Sequence, residues 1–132
     1  MKRSLRMIVG TALVAMSLAA CDPAWFVLAT NESDSPLLLR LNRPGSVEVY
    51  ELPPGFEGVV ASTIGTSPEA SATVLRADCS VLSEVGILDE RVSSIAVDGD
   101  LQVSVQPGAF PDDSAPFAEE LRGECGSTKA TG

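Results

Sequence analysis

Between residues 24 and 106 the apolar side chains recur with the two-residue period of extended chain, cut into short runs by turn formers. Successive side chains of a strand point to opposite faces, so such runs bury themselves only by stacking sheet on sheet. Residues 24–30 are almost continuously apolar and stop at Asn31-Glu32-Ser33-Asp34-Ser35-Pro36. Residues 37–41 follow, and Arg43-Pro44-Gly45-Ser46 turns the chain. In residues 47–51 the valines share one face, with Glu48 and Tyr50 opposite, which predicts a half-buried strand with Tyr50 exposed. Pro53-Pro54-Gly55 breaks the pattern before residues 57–64, which end at Gly65-Thr66-Ser67-Pro68. Residues 70–77 form the next run, and 80–82 either continue it or begin another. Residues 91–97 and 101–106 flank Asp98-Gly99-Asp100, the clearest hairpin in the chain. About seven strands with regular turns predict an all-β fold, a small immunoglobulin-like (Ig-like) β-sandwich over residues 24–106.

The last segment differs. Residues 107–116 are rich in Pro, Gly, Asp and Ser and read as loop. Residues 117–122 predict a short helical turn, with acids in its first half, Arg122 at its end and Gly123 beyond. Phe117 and Leu121 lie four apart and would share the face packed on the sandwich. The expectation is therefore a loop and short helix over 107–126, followed by a disordered tail at 127–132.

The start of the chain belongs to another class of signal. Lys2, Arg3 and Arg6 precede a short apolar run from Met7 to Ala20, the pattern of a secretory signal peptide. The run is shorter than the roughly 20 residues a spanning helix needs. Leu18-Ala19-Ala20-Cys21 closes it and resembles the lipobox of bacterial lipoproteins, an aliphatic residue and two small ones before a cysteine. The resemblance covers residues 1–21 and says nothing of the domain that follows. It implies removal of residues 1–20 and lipidation of Cys21 with diacylglyceryl and fatty-acyl (palmitate-type) chains. Residues 21–23 then become the lipidated anchor, and the chain sits on the extracytoplasmic side of the cell membrane. Loss of the leader takes three of the nine cations, leaving six against eighteen acids and a net charge of −12. That balance argues against a nucleic-acid partner, which needs a basic face.

With Cys21 lipidated, Cys79 and Cys125 remain as an even pair in an exported protein, where thiols oxidise. A disulfide between them closes a loop of about 46 residues, worth about 3–4 kcal/mol in the chain-entropy model. A Cys-x-x-Cys redox spacing is absent.

The chain has no histidine, which removes the commonest general base and metal ligand. No nucleophile elbow, phosphate loop or Ser-x-x-Lys is present, so no catalytic, cofactor-binding or metal residue is assigned. Carboxylates alone could still serve a glycan-acting enzyme, and Asp89-Glu90, Asp112-Asp113 and Glu119-Glu120 are the neighbouring pairs. Adjacent strand residues face apart, so these acids read as solvated surface. Asp98-Gly99-Asp100 offers oxygens to a calcium ion but is explained by its turn. Asn31-Glu32-Ser33 matches a glycosylation sequon and reads as a turn. Trp25 and Phe26 read as first-strand core, with the lipid interface as the alternative. The expectation is a membrane-anchored, non-catalytic binding module for an envelope protein or polymer. The alternatives are the carboxylate enzyme and a purely structural envelope protein.

Overall fold

The computed structural model describes residues 24–64, 71–87 and 91–127. Cys21, the lipobox, the leader and the pair Asp89-Glu90 lie outside the described residues. Among those described, nine strands form two stacked sheets. The first sheet contains β1 (Ala24–Asn31), β4 (Glu57–Ile64), β7 (Val92–Val97) and β8 (Val103–Pro107), in the order β4-β1-β7-β8. The second contains β2 (Leu37–Arg43), β3 (Ser46–Leu52), β5 (Ser71–Arg76), β6 (Val81–Gly86) and β9 (Glu119–Glu120), in the order β6-β5-β2-β3-β9. The architecture is an all-β sandwich. Its first sheet is mixed, because β1 runs antiparallel to β4 but parallel to β7. β6 is a separate strand, so residues 80–82 begin a new element.

Residues directly opposite each other on paired strands share a face. The register Leu37↔Leu52, Leu39↔Tyr50, Leu41↔Glu48 therefore puts all six on one side of the second sheet. The three β2 leucines, Leu52 and Tyr50 belong to the core, facing Val27, Ala29, Ile95 and Val97 of the first sheet. Burying each such large side chain contributes about 1.5–3 kcal/mol. This reverses the expected facing of β3. Tyr50 points inward and is buried, while Val49 shares the outer face with Arg40. Alternation within β3 could not choose between its faces; the leucines of β2 chose.

Val49, Thr73 and Leu75 are nonetheless fully buried on that outer face, because the C-terminal segment covers it. After β8 the chain passes over the outer face of the first sheet. The Gly108 amide donates to the Val92 carbonyl (3.1 Å), and the Phe110 ring meets Phe26 edge-on at 5.9 Å. It then reaches the edge strand β4, where Val59 donates to the Pro116 carbonyl and accepts from the Ala118 amide, both at 2.8 Å. Residues 119–120 pair with the edge strand β3, and the Leu121 amide donates to the Val49 carbonyl. The segment finally crosses the second sheet, where Arg40 donates to the Cys125 carbonyl at 3.2 Å.

The expected helical turn at 117–122 is thus absent, and Phe117 is 65% exposed instead of packed on the sandwich. An isolated helix of six residues is marginal. Two open sheet edges offer the same backbone groups long-range partners, and those partners win. Ser127, expected in the tail, is held on the second sheet, its hydroxyl donating to the Val47 carbonyl (3.3 Å); residues 128–132 lie outside the described residues.

Candidate functional site

The belt leaves a groove of about 400 Å³ where it crosses the first sheet. Its floor is the outward row Leu28, Thr30 and Ser94, with Glu57 and Gly58 at one side; residues of the 110–116 stretch make its wall. Leucine, proline and phenylalanine surfaces alternate there with the hydroxyls of Thr30, Ser94 and Ser114 and the carboxylates of Glu57 and Asp112. The groove is open and of mixed polarity. Gly58 permits its shape: a Cβ there would collide with the Pro116 carbonyl oxygen.

A second polar group closes the core at the β3 edge. Arg43 Nε lies 3.2 Å from Glu48 Oε1, and both side chains are largely buried. The Tyr50 hydroxyl donates to Glu48, and Glu120 faces Tyr50 across the β3–β9 pair. Burial pushes the Tyr50 phenol up to about 12, reinforced by the negative charges of Glu48 and Glu120 and opposed by Arg43. A paired buried charge with a neutral phenol beside it seals an edge, and the sequence reading had missed it. The only signal was indirect, in the odd-numbered leucines of residues 37–41.

Of the predicted site residues among those described, the two cysteines come together and the acidic candidates do not gather into a site. Cys79 and Cys125 are bonded to each other, with Cα atoms 5.4 Å apart. Cys79 stands at the β5–β6 turn, where Asp78 Oδ1 accepts from the Ser80 amide (2.9 Å) and hydroxyl (2.6 Å). Those bonds hold the Asp78 carboxyl below its usual range, the hydroxyl foremost. Asp98 Oδ1 accepts from the amides of Asp100 and Gln102, so it is committed to its turn. That turn runs longer than Asp98-Gly99-Asp100 alone, since Leu101 adopts a left-handed φ of 63° and β8 starts at Val103. Asn31 is fully buried. Its amide donates to the carbonyls of Ser35 and Leu52, and its oxygen accepts from Ser33, so it ties the β1–β2 turn to β3. Asp112, Asp113 and Glu119 are exposed and Glu120 is half-buried. Trp25 and Phe26 are half-buried at the start of β1.

A second cavity of about 350 Å³ lies beside the β1–β2 turn, between Pro36, Arg76 and Leu101. No helix among the described residues is long and apolar enough to cross a membrane. No model of a known protein family matches the chain, and no curated protein matches it either.

Proposed function

We propose that this chain is an exported lipoprotein, held by acyl chains on Cys21 at the extracytoplasmic side of a cell membrane. Its β-sandwich acts there as a non-catalytic interaction module for an envelope protein or polymer. The observation that carries the reading is the order basic start, short apolar run, Leu18-Ala19-Ala20-Cys21. The Cys79–Cys125 bond supports it, since structural disulfides persist in oxidising compartments. Two or more acyl chains hold a protein firmly, at about 0.8 kcal/mol per buried methylene. The belt groove, where it is walled by Pro111, Asp112 and residues 114–116 over the sheet floor, is the surface on which a polar partner would seat.

Replacing Cys21→Ala tests the anchor: the variant accumulates as a precursor that takes up no labelled fatty acid. A normally cleaved, soluble product would overturn the reading. Cross-linking on intact cells tests the module. Saturable capture of one envelope component through groove residues is expected, and its absence would leave a structural spacer.

A further inference from the structure

We infer that the sandwich rests on the bilayer by the end that carries the start of β1, with the Phe110 ring in the lipid interface. The inference rests on the lipid anchor proposed above. Only Asp22 and Pro23 separate Cys21 from the first strand residue. Three residues extend about 11 Å at most, so the start of β1 cannot leave the membrane surface.

The fold decides what else is held at that level. Phe26 pairs with Val92, and the belt returns to the same level as Gly108 bonds the Val92 carbonyl. Phe110 then stacks edge-on against Phe26. Phe110 is 58% exposed, and its ring centre lies 5.9 Å from that of Phe26, whose backbone is five residues, or at most about 18 Å, from the anchor. Phenylalanine rings on the membrane-facing side of interfacial segments bury themselves at the boundary of headgroups and acyl chains.

Charge is arranged to match. The far end, where Asn31 bonds the Leu52 carbonyl, carries Glu32, Asp34, Asp78, Asp98 and Asp100 in its turns, all exposed. At the anchored end Arg91 is exposed, while Arg43 beside the β2–β3 turn is paired with Glu48 and adds no net charge. An anionic lipid surface repels the far end and tolerates the near one, so the field favours the same orientation. The second cavity, by Pro36 and Arg76, is thereby turned away from the membrane.

Trp25 is the chain's single tryptophan, which makes a test direct. In a Trp25→Phe background, Phe110→Trp and, separately, Val81→Trp are purified as acylated chains. Val81 is 57% exposed and pairs with Leu75, near the far end. Each chain is placed in phosphatidylcholine vesicles with and without brominated phosphatidylcholine. The tryptophan at 110 should shift to the blue and lose most of its emission to the bromines, while that at 81 keeps its solvent-exposed emission. Hydroxyl-radical footprinting of the unmodified acylated chain repeats the test without substitutions, and vesicles should protect Phe110 relative to Val81. An acylated chain whose position 110 stays unquenched and unprotected overturns the orientation alone. A mature chain whose mass shows an unmodified Cys21 overturns the anchor and the orientation together.

Discussion

Tyr50 is the only tyrosine of the chain, so its ionisation can be followed without ambiguity. Its phenol is raised to about 12, by burial first and by Glu48 and Glu120 next. In the unfolded chain it returns to the ordinary phenol value of 10.0. A raised pKa contributes stability that is whole below pH 10 and is lost as pH rises towards 12. Tyrosinate absorbance should therefore appear near pH 12, or abruptly with unfolding, and near pH 10 in denaturant. A native titration centred at the ordinary value would contradict the inward placement of Tyr50. At this scale the sequence was partly readable. Asn31 was recognisable as a turn residue, but its bond to Leu52 O spans 21 residues and needed the sandwich to bring them together.

Elements read from periodicity matched where the run carried its own information. The 57–64 run coincides with β4, and the 91–97 and 101–106 runs form the β7–β8 hairpin with slightly trimmed starts. The 117–122 helix failed because its competitor, a pair of open edges, lies far away in sequence. The belt's seat on β4 gives a prediction at this scale. A Cβ on Gly58 would meet the Pro116 backbone oxygen as well as Phe56 Cζ and Pro116 Cγ at 3.0 Å. Gly58→Ala should cost about 1–3 kcal/mol, read as a lower denaturant midpoint. Gly86→Ala in β6, with nothing within 4 Å, should be neutral or stabilising by up to about 1 kcal/mol. Equal effects at the two glycines would mean the belt does not press on β4.

For the whole molecule, the covalent closure and the belt act together. The disulfide joins the β5–β6 turn to a segment that has crossed both sheets, its cysteines 46 positions apart in sequence. Replacing Cys79→Ser with Cys125→Ser should cost about 2–4 kcal/mol, measured by urea unfolding. Thiol labelling of the unfolded, unreduced protein should detect neither cysteine. A variant as stable as the parent would mean that the hydrogen bonds of 116–127 hold the belt unaided.

The sequence by itself determined the strand count nearly, the turns and the pairing of the last two cysteines, because each rests on neighbours in the chain or on arithmetic over residue types. Tertiary structure alone decided which face of β3 turns inward, what covers the outer face of the second sheet, and where the groove lies. Each of those depends on partners far away in sequence, as when the β2 leucines orient Tyr50 and Val59 claims the backbone of Pro116 and Ala118. A local pattern states that one face must be buried; only the opposing sheet supplies the surface that buries it.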